Sequence, residues 1–320
     1  MKEFTIGKNE SGQRLDKYLK KLLPGANSSF LYKMLRKKNI VRNGKRADGS
    51  EKLAEGDVLR CYFSDETFSK FAQSPDLSFY RSLPQDKLNI IYEDEDILLI
   101  NKPSGMLSQK ARPDDISANE YLIAYLLFSG QLKEADFAAF RPAVCNRLDR
   151  NTSGILTAGK TLKGLQDLSE MLKNRTVKKY YRCIVNGNMN EVDNIKGWLK
   201  KDERTNQVTI FSEERPDSQY IETAYQPLRC EHGRTLLEVH LITGRSHQIR
   251  AHLASIGHPI IGDMKYGNRA VNEKYRKQYG IKSQMLHAYR MEFPDGSIYT
   301  APLPEEFEWI FDEMEGAEYK

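Results

Sequence analysis

One short stretch constrains this chain more than any other. Residues 145–161 read CNRLDRNTSGILTAGKT, which places a single carboxylate, Asp149, between two arginines and just before a turn and the apolar run 155–158. If Arg147, Leu148 and Asp149 are extended, the arginine and the aspartate point to one face and the leucine to the other. We therefore expect a partly desolvated carboxylate at the edge of a buried strand. Its pKa would be raised there unless a cation kept it ionised.

The tripeptide alone decides nothing, because Arg14-Leu15-Asp16 repeats it near the start of the chain. There Asp16 falls in the first turn of a predicted helix, where the helix dipole favours an acid. For Asp149 the residue types fit two interpretations equally well. One is a structural ion pair that fixes a loop, and the other is a catalytic carboxylate.

Composition excludes several classes of protein. The 320 residues are 39% hydrophobic and 29% charged, as expected for a globular protein with room for two domains. No apolar run is long enough to cross a membrane, and the start of the chain lacks the apolar segment of a signal peptide. Four cysteines stand singly, so we expect no zinc ribbon and no disulfide framework, and a cytoplasmic location. No Gly-x-Gly-x-x-Gly loop indicates a dinucleotide.

The charge is concentrated at the start of the chain. Residues 1–63 hold 15 Lys and Arg against 7 Asp and Glu, whereas the remainder holds 34 against 37. A basic segment on a near-neutral body indicates a polyanionic partner, although a solvated lysine-rich surface would give the same count.

Residues 1–63 form the first predicted domain. Leucines at helical spacing predict a helix that ends at Pro24-Gly25, and residues 27–29 offer caps for a second helix. Asn43-Gly44 predicts a tight hairpin, because both residues accept the positive φ angles of a type I′ turn. Two short helices followed by a basic hairpin resemble the S-four-like RNA-binding domain. In such a module seven residues would contact RNA phosphates: Lys33, Arg36, Lys37, Lys38, Arg42, Lys45 and Arg46.

Residues 64–87 lack clear periodicity and are interpreted as a linker, and residues 88–320 as a second domain. In that domain strands and helices alternate without a regular βαβ rhythm. We expect strands at 89–92, 97–100, 181–185, 223–225 and 236–241, and helices at 121–128 and 162–172. The predicted fold class is α+β, with a mixed, largely antiparallel sheet, flanking helices and loops.

A second informative stretch runs from residue 241 to residue 267. A helix is expected from Arg245 or Ser246 to Gly257, with a core stripe of three residues and a neighbouring face that aims Arg250 into a cleft. The stripe consists of Ile249, Leu253 and Ile256. His247 and His252 are five apart and do not share a face as zinc ligands would, so we expect hydrogen-bonded structural or RNA-contacting histidines.

Three motifs together resemble those of the RluA-type pseudouridine synthases. They are Arg147-Leu148-Asp149 with Thr152-Ser153-Gly154, Tyr181 six residues before Gly187, and Thr243-Gly244-Arg245-Ser246-His247-Gln248-Ile249-Arg250. Residues 101–105 (NKPSG) and 257–263 (GHPIIGD) add two matching stretches in family order. With an S-four-like domain in front, the resemblance extends to the branch that modifies large-subunit ribosomal RNA (RluC- and RluD-like). Asn146 departs from the family, which often has histidine there; asparagine keeps hydrogen-bonding groups but cannot become cationic.

The resemblance implies an isomerase that detaches uracil from its ribose and rejoins it through carbon, without metal or cofactor. Asp149 would be the catalytic carboxylate, acting either as nucleophile or as base. Arg250 would pair with it, and Tyr181 would stack on the uracil or assist a proton transfer. Arg147 would fill the gap left by the flipped nucleotide, and Arg245 and His247 would contact RNA. We expect a monomer that acts on ribosomal RNA.

Other functions stay open at this point. The same residues would suit a pseudouridine synthase that acts on transfer RNA, or a non-catalytic RNA-binding factor of ribosome assembly. A metal-dependent nuclease that uses Asp149 with Asp263 or another acid is a third class.

Overall fold

Two large hydrophobic cores, with two smaller clusters beside the second, organise the described part of the chain. The computed structural model describes residues 1–7, 10–72, 77–134, 137 and 140–311. One core lies among the first 72 residues and the other spans the rest of the described chain. No helix of the described residues is long and apolar enough to cross a membrane.

The first core joins two helices to a four-stranded sheet of order β1-β4-β2-β3. Leu15, Leu19, Leu31 and Leu35 are almost completely buried in it, so the leucine spacing of the sequence correctly predicted both helices. The turn residues Asn43 and Gly44 have φ angles of 50° and 72°, which confirms the predicted tight hairpin. The elements are β1 Lys2–Thr5, α1 Leu15–Leu22, α2 Ser28–Arg36, β2 Ile40–Arg42, β3 Lys45–Arg46 and β4 Val58–Cys61.

Short helices lie in the segment predicted to be a linker. Helix α3 spans Asp65–Phe71, α4 spans Ser78–Arg81, and a 3₁₀ turn spans Gln85–Lys87. Phe68 packs against the first core and Tyr80 against the second. Each element has one or two turns, too few for a hydrophobic period to appear in the sequence.

The second core is built on an eleven-stranded sheet, whose main path is β11-β10-β12-β13-β9-β14-β8-β6-β5. Its described strand pairs are antiparallel except β8 with β14, which confirms the predicted mixed, largely antiparallel sheet. The strands are β5 Asn89–Glu93, β6 Ile97–Lys102, β7 Ala143–Val144, β8 Ser153–Gly159, β9 Lys178–Asn186, β10 Asp193–Asp202, β11 Gln207–Phe211, β12 Gln219–Glu231, β13 Arg234–Leu241, β14 Leu286–Glu292 and β15 Ile298–Thr300.

Helices cover both faces of part of this sheet. Because side chains alternate along a strand, Leu98 and Ile100 enter the main core whereas Leu99 enters a smaller one on the opposite face. The smaller core contains Leu168 of one helix, and the other helices pack mainly on the main core. The helices are α5 Ala118–Phe128, α6 Leu162–Lys173, α7 Gln248–Ser255, α8 Arg269–Tyr279 and α9 Glu306–Trp309.

Two expectations about helix α7 were wrong. It begins at Gln248 rather than at residue 245 or 246, because the Gln248 side chain closes the preceding loop: its Oε1 accepts from the Thr243 hydroxyl at 2.8 Å and from Arg245 N at 3.1 Å. Ile256 is 37% exposed and does not continue the core stripe of Ile249 and Leu253. It lies after the last helical turn, where Gly257 has a φ of 87° and the chain changes direction.

Candidate active site

The loop before strand β8 presents Asp149 as the sequence predicted. Leu148 is buried and Arg147 is exposed, while the Asp149 side chain is 28% exposed. Asp149 O accepts from Thr152 N at 3.0 Å, which closes the turn into the strand. At Gly154 the φ angle is 104° and an added Cβ would lie 2.2 Å from the Ala288 oxygen, so the sequence needs glycine where β8 meets β14.

Asn146 fixes the other end of this loop. Its Oδ1 accepts from Thr157 N at 2.7 Å and from the Thr157 hydroxyl at 3.0 Å. Both contacts need an acceptor and neither needs a positive charge, so asparagine can anchor the loop to strand β8 without a cationic side chain.

Arg250 joins two carboxylates from distant parts of the chain. Its Nη1 donates to Asp149 Oδ2 at 2.7 Å, and Nε and Nη2 donate to both oxygens of Asp263 at 2.6 and 2.9 Å. Asp263 is completely buried, and the Arg250 side chain is only 7% exposed. The bidentate pair with Asp263 orients the guanidinium, whose remaining edge then points at Asp149.

Electrostatics keep the Arg250–Asp263 pair ionised. Burial alone would raise the pKa of Asp263, but the hydrogen bonds and charge of Arg250 outweigh it and lower that pKa. Burial disfavours the Arg250 cation, yet Asp263 and Asp149 together raise its pKa above the ordinary value. The backbone N–H groups of Lys265 and Tyr266 also donate to Asp263 Oδ1, at 2.8 and 3.1 Å.

A histidine lies on the other side of Asp149. His247 Nε2 is 3.9 Å from Asp149 Oδ1, and its Nδ1 is hydrogen-bonded to the Tyr266 hydroxyl at 2.9 Å. Burial lowers the pKa of His247, although the charge of Asp149 acts in the opposite direction. Asp149 therefore has one oxygen bonded to Arg250 and another that faces a neutral imidazole beyond direct hydrogen-bond distance.

Tyr181 borders the site from strand β9. The ring is 94% buried, and burial followed by the charge of Asp149 raises the pKa of its hydroxyl. Tyr180 faces the opposite side of the sheet, where it stacks on His240 at 4.7 Å, as the alternation of strand side chains requires.

A buried lysine supports the Asp149 loop from below. Lys102 is completely buried, and its Nζ donates to the backbone oxygens of Pro103, Met106 and Arg150 at 3.0, 2.8 and 3.0 Å. Burial lowers the pKa of Lys102 to about 7, and the charge of Asp149 opposes that shift. The contact with Arg150 ties the residue after Asp149 to strand β6.

His247 aside, the predicted RNA-contacting residues are mostly exposed and, within the described chain, make no hydrogen bond or ion pair with Asp149, Arg250 or Asp263. Arg147 and Arg245 are exposed at the rim of the site. In the first domain Arg42 is bound to Asp57 at 2.7 Å. The six other basic residues predicted there are exposed: Lys33, Arg36, Lys37, Lys38, Lys45 and Arg46.

The contacts do not suit the nuclease alternative. Both oxygens of Asp263 are occupied by Arg250, so this acid cannot join Asp149 as a metal ligand. Within the described ranges no cluster of three or more His, Cys, Asp or Glu could hold a metal ion. His252 is buried and bonded to the Thr223 hydroxyl at 3.0 Å, which is the structural role expected for it.

Sequence reasoning missed three contributors to the site. Asp263 was noted only as part of a matching stretch and as a nuclease ligand, and neither Lys102 nor Tyr266 was given a role. For Asp263 the available sequence signal was the pair Gly262-Asp263. For Lys102 it was the position of a lysine at the end of a buried strand. Their roles depend on contacts between residues far apart in the chain.

Comparisons with known proteins agree with this arrangement. A family model described as RNA pseudouridylate synthase matches residues 96–255, and a model described as S4 domain matches residues 13–59. The first match includes the three motifs and residues 101–105 but ends before residues 257–263, and the second includes the two helices and the hairpin of the first domain.

Similar full-length proteins carry related names. The ribosomal large subunit pseudouridine synthase C of Vibrio vulnificus is 32% identical, over 97% of this chain and 95% of that protein. An uncharacterized RNA pseudouridine synthase of Mycoplasma genitalium is 30% identical, over 94% of this chain and 91% of that protein.

Solved structures show the same fold. Human RNA Pseudouridylate Synthase Domain Containing 4 has a TM-score of 0.56 at 23% identity and covers 68% of this chain and 90% of its own. Human RNA Pseudouridylate Synthase Domain Containing 1 has a TM-score of 0.55 at 24% identity, over 72% and 88% of the two chains.

Proposed function

Because this chain belongs to the RNA pseudouridylate synthase family and isomerises uridine to pseudouridine in RNA, we propose that its substrate is large-subunit ribosomal RNA and that Asp149 is its catalytic carboxylate. The basic S4 domain supports this substrate class, and so does the name of the Vibrio vulnificus relative, a ribosomal large subunit pseudouridine synthase. We further propose that the enzyme acts as a cytoplasmic monomer, with domains at residues 1–63 and 88–320 joined by residues 64–87.

The catalytic assignment rests on one observation, which is that only one of the two carboxylate oxygens of Asp149 is hydrogen-bonded within the described chain. Arg250 donates to Oδ2 at 2.7 Å and so fixes the direction of the carboxylate. Oδ1 has no hydrogen-bond donor at bonding distance among the described residues, and the side chain is 28% exposed. An oriented, ionised and accessible oxygen is what a nucleophile or a base requires.

The reaction exchanges one bond of the nucleoside for another. The bond from C1′ to N1 of uracil breaks, the ring turns, and a bond from C1′ to C5 forms, while C5 loses a proton and N1 gains one. In the proposed mechanism Asp149 initiates this exchange, either by attacking the sugar or the base or by removing a sugar proton. Tyr181, on strand β9, is proposed to stack on the detached uracil or to assist the proton transfer at C5.

Base flipping accounts for the arginine beside the acid. A uridine stacked in RNA hides the atoms that react, and its extrusion costs a few kcal/mol that new contacts must offset. Arg147 is exposed and lies two residues from Asp149, the spacing at which side chains of an extended segment share a face. Its planar guanidinium can stack on bases and donate hydrogen bonds, so we assign it to the gap left by the flipped nucleotide.

The first domain is proposed to anchor the RNA. Six of its seven predicted contact residues are exposed, and lysine and arginine side chains bind phosphates without reading the sequence. Arg245 and His247 are assigned to the RNA near the reacting nucleotide. Arg42 has a weaker case, because Asp57 already neutralises it.

Mapping pseudouridine after incubation with the full-length protein tests the proposal. Unmodified large-subunit ribosomal RNA and unmodified transfer RNA are treated separately, with the Asp149→Asn variant as control. We expect pseudouridine at defined positions of the ribosomal RNA, without a change in its mass, and none with the variant. Modification of the transfer RNA alone would refute the substrate class, and an active variant would refute the role of Asp149.

A further inference from the structure

The sequence predicts no element in residues 188–220. In the structure this segment includes a hairpin that packs against helix α7, which carries Arg250. Strands β10 and β11 form a hairpin at the edge of the main sheet. Leu199 and Val208 of this hairpin pack with Ile221 and with Ala251 of helix α7, next to Arg250. The hairpin thus covers the side of α7 that lies away from the main core.

A hydrogen bond connects this hairpin to Tyr266. Because β11 is the edge strand, Val208 N–H can point away from the sheet, and it donates to the Tyr266 hydroxyl oxygen at 3.0 Å. Lys265 Nζ also donates to Asn206 O at 2.7 Å, in the turn that joins β10 to β11. The loop after Asp263 is therefore fixed to the hairpin by two hydrogen bonds.

Tyr266 contacts two residues of the active site. Its ring lies under the Arg250 guanidinium, with 5.3 Å between the ring centroid and the guanidinium carbon. Its hydroxyl is 2.9 Å from His247 Nδ1. The hydroxyl oxygen accepts from Val208 N–H, and donation of its proton to Nδ1 is the arrangement that uses both the donor and an acceptor site of this hydroxyl.

The direction of this hydrogen bond is linked to the tautomer of His247. If Nδ1 accepts the Tyr266 proton, the neutral ring carries its own proton on Nε2, the atom that faces Asp149 Oδ1 at 3.9 Å. His247 itself has a φ of 55°, a left-handed conformation that costs energy for a non-glycine residue. The loop therefore accepts backbone strain to place this ring beside the carboxylate.

We propose that Tyr266 is a positioning residue for the isomerisation, which acts through His247 on the uncommitted oxygen of Asp149. This inference rests on the proposed role of Asp149. Tyr266 keeps the Nε2–H of His247 directed at Oδ1, so that Arg250 on one side and the imidazole on the other fix the plane of the carboxylate. The substrate then meets Oδ1 of Asp149 with the carboxylate held in a single orientation.

The first test removes the hydroxyl and keeps the ring. Tyr266→Phe should lower the single-turnover rate of pseudouridine formation about three- to tenfold, the effect of losing one ordinary hydrogen bond. RNA affinity should stay at the wild-type value, because Tyr266 is proposed to act on the carboxylate and not on RNA. The matched control is Tyr225→Phe, which removes a hydroxyl from a buried tyrosine of strand β12 and should leave the rate unchanged.

A double-mutant cycle shows whether the effect passes through His247. His247→Asn suits the left-handed backbone and removes the ring that Tyr266 holds. In that background Tyr266→Phe should change the rate by no more than about twofold, because the interaction is already lost. Additive effects of the two substitutions would show that Tyr266 acts only by supporting the fold, and would overturn the proposal.

The pH dependence of Tyr266→Phe supplies an independent readout. The Tyr266 proton is donated to the neutral ring, so its loss makes His247 easier to protonate and raises its pKa. An imidazolium would engage Oδ1 of Asp149, so the acid limb of the pH–rate profile should move to higher pH in the variant. An unmoved limb contradicts the proposal. The charged and titratable groups that face His247 are Asp149, Arg250, Asp263, Lys265 and Tyr266.

The outcomes separate this inference from the proposed function. If wild type is active, Asp149→Asn is inactive and Tyr266→Phe is fully active, only the positioning role fails. If Asp149→Asn is active, the proposed function fails first. Thermal unfolding of each variant identifies any loss of rate that comes from misfolding.

Discussion

The two Arg-Leu-Asp tripeptides of this chain have the same sequence and opposite environments. In the first, Arg14 donates to both oxygens of Asp16 at 3.1 and 3.0 Å, and Tyr32 and the backbone of Lys17 donate as well, at 3.0 and 2.8 Å. The hydrogen bond from Arg14 is the main reason why the pKa of Asp16 is lowered. Every acceptor direction of this carboxylate is used locally, at the start of a helix.

In the second tripeptide the arginine and the aspartate are not paired with each other. Asp149 is bound by Arg250, 101 residues further along the chain, and only through Oδ2. Arg147 remains exposed. The difference suggests that a structural carboxylate is satisfied by its neighbours, whereas a carboxylate suited to chemistry is oriented from a distance and keeps one oxygen accessible.

The largest expected effect on stability comes from removing the distant partner. Arg250→Met leaves Asp263 completely buried without its cation, which should lower the free energy of unfolding by about 3–5 kcal/mol and abolish pseudouridine formation. The matched change is Arg14→Met, whose side chain is 48% exposed and whose loss should leave stability and activity near wild type. Urea denaturation of both variants measures this contrast. Equal losses of unfolding free energy in the two variants would contradict the described difference between the Arg250–Asp263 and Arg14–Asp16 ion pairs.

A smaller effect is expected from the exposed arginine beside Asp149. Arg147→Ala should leave stability unchanged but reduce kcat/KM about tenfold or more, because a stacking or hydrogen-bonding contact with RNA is worth about 1–3 kcal/mol. Arg150→Ala removes an equally exposed neighbour without a proposed role. Steady-state kinetics with one ribosomal RNA fragment compares the two. A larger loss of kcat/KM in Arg150→Ala than in Arg147→Ala would show that Arg147 does not fill the gap.

The smallest effect concerns acid stability. All six histidines lie after residue 230, and burial lowers the pKa of His252 and of His287 to about 4. The unfolded chain binds these protons near pH 6.5, so it holds more protons than the folded chain between pH 6.5 and about 4, and stability falls as pH falls through that window. His252→Gln should weaken this dependence, measured as the change in Tm from pH 7 to pH 5. The same slope in wild type and variant would exclude His252 as a cause.

How far the sequence predicts the structure depends on the range of the contacts. The helices and hairpin of the first domain follow from leucine spacing and from Asn43-Gly44, because their causes lie within a few residues. The conjunction of Asp149, Tyr181 and Arg250 was predicted from the family motifs, since periodicity does not show which strands become neighbours. The partnership of Arg250 with Asp263, and the hairpin that reaches Tyr266, escaped prediction because they depend on how distant segments pack.

The most direct test of the account compares Asp149→Asn with Asp16→Asn in the same single-turnover assay on large-subunit ribosomal RNA. We predict that Asp149→Asn slows pseudouridine formation by about 10²- to 10⁴-fold or more while RNA affinity stays near wild type. Asp16→Asn should leave the rate unchanged. Similar rates for the two variants, or substantial activity in Asp149→Asn, would contradict the claim that the accessible oxygen of Asp149 performs the chemistry.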